Sequence, residues 1–343
     1  MKLRIGIMLA AVSFALGGGM YAADASACGM FVPRNLEETI PTIRQEQVLI
    51  VYDQKQQLQH FVREVSFDAG NGEFGFIVPT PKQPEVAAAK SPFAELRKAY
   101  PFEPPHQFEG GPPGSRGMKG ASGGGAAPVQ VLSVQRVGKF TAFVLAATDA
   151  GALGKWLTDN KFQAPPKAKG WLDHYVALGF YYVAFRYDPP KDKKATGLTS
   201  ETVRISFKTP YPYYPYQEPG SARSADSRLL SLWFLSQSRM KPIAAKARLA
   251  SVQHVRPWTS GLSYDVSAKE LAAKLGGLSK LVPASGKLVL QTYRDLKTSR
   301  THWGDVLLVP STPQKLSSEQ IAERRWLFPV LDPLLMPEAG GAK

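Results

Sequence analysis

Cysteine is almost absent from this chain: Cys28 is the only one in 343 residues. That excludes an intramolecular disulfide and any zinc site built from paired cysteines, so the fold must stand on its core. Histidine is scarce as well. His60, His106, His174, His254 and His302 show none of the i, i+4 spacing that metal sites use, so no metal and no cofactor is expected. After residue 27 no apolar run approaches the roughly 18 residues of a membrane span. The nearest, Trp326 to Leu331, is broken by Pro329 and followed by Asp332, Pro333 and Pro337. Acidic residues are the minority, 28 against 42 Lys and Arg, which leaves a formal charge of +14.

The amino terminus has an ordered pattern. Lys2 and Arg4 precede an apolar run from Ile5 to Leu16, then Gly17-Gly18-Gly19 and the small triplet Ala25-Ser26-Ala27. This is the order of a secretory signal, with cleavage between Ala27 and Cys28. The 12-residue run is too short to span a bilayer. Two outcomes stay open for Cys28. Simple cleavage leaves a free thiol; if Ala25 to Cys28 acts as a lipobox, Cys28 is lipidated. The expected location is periplasmic or secreted, and membrane-anchored only with the lipid. The positive charge would suggest nucleic acid in the cytoplasm, a partner that export argues against. It points instead to anionic envelope polymers or another envelope protein. The basic residues form no long block, which equally fits a merely solvated surface.

Along the chain, residues 47–53 and 58–67 read as strands around the short loop Gln54 to Gln57. A third, 74–78, is expected to end at Pro79-Thr80-Pro81 and to complete an antiparallel meander. Ser91-Pro92 opens a helix to about Tyr100, with Ser91 as cap. Residues 103–127 are rich in Gly, Pro and Ala and read as a flexible loop interrupting the domain. Strands follow at 129–137 and 140–146. Asp149 caps a helix carrying Leu153, Trp156 and Leu157 on one face and ending at Asn160. A second helix runs from about Lys167 to Leu178, then strands at 181–187 and 202–208. Beyond Pro219 the pattern is looser: strands at 229–234 and 246–255, a helix from Ser267…Glu270 to Leu275 closed by Gly276-Gly277, and a hairpin from 286–294 and 303–309. Trp303-Gly304 through Pro310 echoes Phe74-Gly75 through Pro79, a likeness that strand-then-proline punctuation also produces.

Four passages resemble an exported bacterial family, domain of unknown function 2330. They are Cys28-Gly29; Phe74 to Pro81 with Pro84; Val137 to Asn160 with Thr148-Asp149 and Trp156-Leu157; and Tyr175-Val176 with Phe180 to Phe185. The resemblance covers about residues 28–217. It implies an envelope-associated protein without an established activity, and it carries no catalytic residues over.

The expected fold is α+β, mainly antiparallel sheet with a few short helices and a looser C-terminal portion. The expected organisation is a signal peptide at 1–27, an α+β domain at 28–217 and a β-rich portion at 218–343 that could pack on the first. Gly120 to Gly124 matches the G-x-S-x-G elbow of serine hydrolases, but no strand precedes it and no helix follows. Tyr211-Pro212-Tyr213-Tyr214-Pro215-Tyr216 is the most unusual passage. Tyr211, Tyr213, Tyr214 and Tyr216 either form a binding surface that stacks on sugars or peptides, or cover the sheet on a proline-stiffened connector. The function these features favour is a non-enzymatic envelope protein that binds or scaffolds an anionic or glycan partner. The alternatives are an exported hydrolase assembled from distant residues and a lipid-anchored accessory subunit.

Overall fold

In the strand Ile43–Asp53 the apolar residues are not alternated with polar ones: Val48, Leu49, Ile50, Val51 and Tyr52 are all buried. A strand of that kind needs cover on both faces, and the fold supplies it. The computed structural model describes residues 30–33, 43–68, 74–102, 129–164, 168–187, 198–219, 229–244, 258–284, 287–296, 300 and 304–311. The signal segment, Cys28, the loop expected at 103–127, the strand expected at 246–255 and the C-terminal tail lie outside those residues.

The strands are β1 (Met30–Pro33), β2 (Ile43–Asp53), β3 (Leu58–Asp68), β4 (Phe74–Thr80) and β5 (Glu85–Ala88), followed by helix α1 (Phe93–Ala99). Then come β6 (Val129–Val137), β7 (Phe140–Ala147), α2 (Ala150–Asp159), α3 (Lys169–Ala177), β8 (Tyr181–Tyr187), β9 (Leu198–Lys208) and β10 (Tyr213–Tyr214). The last elements are β11 (Leu229–Ser236), β12 (Met240–Ala244), β13 (Thr259–Val266), α4 (Ala268–Leu275), β14 (Leu288–Asp295) and β15 (Val306–Pro310). The α+β, sheet-dominated class is therefore as read from the sequence.

Three sheets form. The seven-stranded one runs β13-β14-β11-β2-β3-β9-β5, the five-stranded one β1-β4-β8-β7-β6, and the three-stranded one β10-β15-β12. Among the described pairs only β11 with β2 is parallel. Val48, Ile50 and Phe61 on one face of the large sheet join the core shared with the five-stranded sheet. Leu49, Val51, Val62, Trp233 and Leu235 on the other face pack with Phe93 and Leu96 of α1 and Leu271 and Leu275 of α4.

The helix caps follow local chemistry. The Asp149 carboxylate accepts from the Ala152 amide at 2.6 Å, and the Ser267 hydroxyl accepts from the Glu270 amide at 3.1 Å. Gly276, at φ 54°, ends α4 in a backbone region that side chains disfavour. At α1 the frame shifts by one residue: Pro92, not Ser91, holds the cap position, and the Ser91 hydroxyl accepts from the Phe93 amide at a long 3.5 Å.

Three expectations are corrected. The meander does not form, because β4 leaves β2 and β3 to pair with β1 and β8 in the other sheet. Its seven residues are all buried, a demand the solvent side of a meander could not meet. The strand does not stop at Val78 either: Pro79 pairs with Tyr182 of β8. The described residues of β1 oppose only Phe74 to Ile77, so the missing proline N–H falls where β4 has become an edge. Finally, β14 and β15 are not a hairpin. β14 lies between β13 and β11, and β15 between β10 and β12. Residues on both sides of position 217 share one sheet, since β11 lies hydrogen-bonded beside β2.

Candidate functional site

The tyrosine-proline passage crosses the interior as a strap. Tyr213 is held at both backbone groups by one side chain: Gln59 Nε2 donates to its carbonyl and its amide donates to Gln59 Oε1, each at 2.7 Å. The Leu308 amide donates to the Pro212 carbonyl at 2.9 Å, tying the strap to β15. All four tyrosines are buried, Tyr211 at 2% exposure and the other three at 0%. They line the sheet as a covered connector and present no face to solvent, so the alternative of a tyrosine binding surface has no exposed ring to rest on. The interleaved prolines favour an extended path for the strap.

Three of the hydroxyls end on carboxylates from separate parts of the chain. Tyr213 donates to Asp305 at 2.8 Å, Tyr214 to Glu46 at 3.1 Å, and Tyr216 to Asp295 at 2.8 Å. Asp305 also accepts from Tyr175 of α3 at 2.9 Å and from the Gln217 amide at 3.0 Å. Trp171 of the same helix donates its indole N–H to the Gln217 carbonyl at 2.9 Å, closing that end. Burial raises the Asp305 carboxyl above the ordinary carboxylate range, and its three donors pull partly the other way. Burial, and next the Asp305 charge, push Tyr175 and Tyr213 well above the usual tyrosine value, so both remain hydroxyl donors.

Two guanidinium groups answer the other carboxylates. Arg63 Nε lies 2.9 Å from Glu46 Oε1, with its guanidinium 4.9 Å from the centre of the Phe76 ring. Arg300 Nε donates to Asp295 at 2.8 Å, its Nη1 lies 3.6 Å from Glu46, and its backbone amide donates to Glu218 at 3.1 Å. The Trp258 ring meets Tyr214 and Tyr216 edge to face. The network is charge-paired but not fully hydrogen-bonded: among the described residues the buried Arg63 Nη1 and Nη2 and Trp258 Nε1 have no hydrogen-bond partner. Tyr175 and Tyr213 are held as donors, and the carboxylates of Glu46, Asp295 and Asp305 each meet a hydroxyl or a guanidinium. No group of His, Cys, Asp or Glu among the described residues could hold a metal ion.

The histidines separate. His106, His254, His302 and the Gly120–Gly124 match lie outside the described residues, as do Ala27 and Cys28. His174 on α3 packs edge to face on Tyr175. His60 Nδ1 lies 2.8 Å from Ser206 Oγ, across the β3–β9 pair. This is the one Ser–His contact among the described residues. Its chemistry is weak. Burial, and next the Arg204 charge, lower the His60 pKa to about 4, far from the neutral range where a general base works best. Ser206 sits in mid-strand between His60 and Glu85, not on a strand-to-helix turn that could present it beside an oxyanion hole.

Sequence reading missed Glu46, Arg63, Asp295, Arg300 and Asp305. Their one local signal is charge set against apolar strand sequence, as where Asp305 precedes Val306-Leu307-Leu308-Val309.

A family model described as "Uncharacterized protein conserved in bacteria (DUF2330)" matches residues 22–287, well past the 28–217 that the shared passages span. No curated protein matches the chain. Among solved structures, baculovirus P35 aligns at 8% identity over 79% of this chain and 92% of its own, with a TM-score of 0.35, too low to bear on fold or function.

Proposed function

The chain belongs to this bacterial family of uncharacterized proteins, and from that premise we propose that it is an exported envelope protein that works by binding an anionic envelope polymer rather than by catalysis. The observation that carries the reading is how charge is divided between interior and exterior. Among the described residues the buried set holds Glu46, Glu218, Asp295 and Asp305 against Arg63 and Arg300. That is a formal −2 inside, opposite in sign to the +14 of the whole chain. An excess of positive charge concentrates anionic partners without a polybasic block. Because the four strap tyrosines are buried, the partner chemistry that remains is anionic: phosphate or carboxylate groups on a polymer. The signal-like amino terminus puts such polymers within reach.

The test is retention of the mature protein on vesicles containing anionic phospholipid, on lipopolysaccharide and on peptidoglycan, across a salt series. Binding at low salt that weakens as salt shortens the Debye length toward about 8 Å is the expected result. No retention on any of the three at low salt would end the proposal.

A further inference from the structure

Among the described residues three large apolar side chains stand exposed, and two of them share one strand: Val131 at 42% and Val134 at 55% on β6. β6 is the last strand of the five-stranded sheet and its backbone pairs with β7 alone among the described strands, while the Gln135 side chain donates to the Val86 carbonyl of β5 at 2.8 Å. Its register on β7 slips between Val131 and Ser133, so that Val131 faces Leu145 and Val134 faces Phe143. Leu145 and Phe143 are two residues apart and lie on one face of the sheet. The bulge therefore brings Val131 and Val134, three residues apart, to that same face. Phe143 meets Trp156 of α2 at 5.4 Å, so the valines extend the helix-covered side of the sheet out to its rim.

Edge strands are ordinarily protected by lysine, proline or an inward charge. The β6 sequence Val-Gln-Val-Leu-Ser-Val-Gln-Arg-Val contains no lysine and no proline. Its single charge, Arg136, donates from Nε to the Gly138 carbonyl at 3.0 Å. One charge in nine residues gives this exposed strand little of that protection.

We propose that β6 is a dimer seam, pairing antiparallel with β6 of a second copy across a two-fold axis perpendicular to the sheet. The bulge makes the strand nearly self-complementary about its own centre. Val131 then lies opposite Val134 of the second copy, Gln130 opposite Gln135, and Val129 opposite Arg136. Four valines close over one face. All described pairs in this sheet are antiparallel, so the join continues the pattern into ten strands. Charge does not forbid it. The two Arg136 residues sit at opposite ends of the seam, ~24 Å apart at ~3.4 Å per residue, beyond the screening length of about 8 Å. A single strand pair buries less than the roughly 1,600 Å² of a standard interface, so association is weak and concentration-dependent.

Sedimentation of the mature protein over a wide concentration range tests this. The expected result is a mass rising from one chain to two, with hydrogen-exchange protection of the β6 amides growing over the same range. Val134→Lys should raise the dissociation constant by at least about 10-fold while leaving the melting temperature unchanged, because Val134 is more than half exposed in the single chain. Salt separates the two proposals: polymer binding weakens as salt rises, whereas an apolar, hydrogen-bonded seam does not. A mass of one chain at every concentration would overturn the seam. So would a dimer indifferent to Val134→Lys, or a single chain that captures an extended peptide on β6 instead.

Discussion

Asp305 is the residue on which most of the buried network depends. It takes three donors, from Tyr175, Tyr213 and the Gln217 amide. Asp305→Ala would take a shared acceptor from two buried hydroxyls and the half-buried Gln217 amide, each loss costing on the order of 1–3 kcal/mol before relaxation. Asp305→Asn keeps an acceptor oxygen and removes a charge that burial already disfavours. The expected order of stability in urea is wild type, then Asn, then Ala, with a gap of at least about 2 kcal/mol between the two variants. His60 gives a second residue-scale test. Its folded pKa of about 4 lies below the ordinary 6.5, so the unfolded chain binds more protons between those values. Stability held above pH 6.5 should therefore fall as pH drops toward 4. The ring is partly exposed and solvent screens the effect, so the check is the slope of melting temperature against pH. His60→Gln should flatten that slope in this window and leave it unchanged above pH 7.

At the scale of elements, β4 depends on the smallness of Gly75. A side chain there would overlap the Phe162 ring and approach the Phe185 carbonyl of the paired strand to 2.7 Å. Backbone does not yield as a flexible side chain would, so Gly75→Ala should cost ~1–3 kcal/mol, read as a lower urea midpoint at unchanged slope. Elements of this kind also mark how far sequence reading reached. Caps at Asp149 and Ser267, the turn around Gln54 to Gln57 and the strands at 129–137 and 181–187 are written in local chemistry, and they were legible. Partnership was not. β4 carries the same aromatic and β-branched signal whether it extends a meander or joins another sheet; only its burial on both faces decides, and that depends on β1 and β8. The strap tyrosines are local, but their acceptors Glu46, Asp295 and Asp305 lie 79 to 168 residues away. No spacing rule connects them.

At the scale of the whole molecule, the parallel contact between β11 and β2 decides how the protein unfolds. Leu229 to Leu235 run beside Gln45 to Val51, and Trp233 and Leu235 complete the cluster that Leu49 and Val51 begin. The strap adds a second tie, because Tyr214 and Tyr216 anchor to Glu46 before it and Asp295 after it. A fragment ending at Pro219 would expose the edge of β2 along seven paired residues and strip one wall from the second core cluster. It would also leave Glu46 without the Arg300 charge that lies 3.6 Å away in the buried network. An uncovered apolar strand edge recruits other chains, so the fragments 28–219 and 220–343 should aggregate or stay unfolded when expressed apart. The intact protein should unfold in one transition, with tryptophan fluorescence and far-ultraviolet circular dichroism following the same urea curve. Two separated transitions, or a 28–219 fragment with a sharp melt of its own, would mean that the halves on either side of the strap are held together by less than this shared sheet requires.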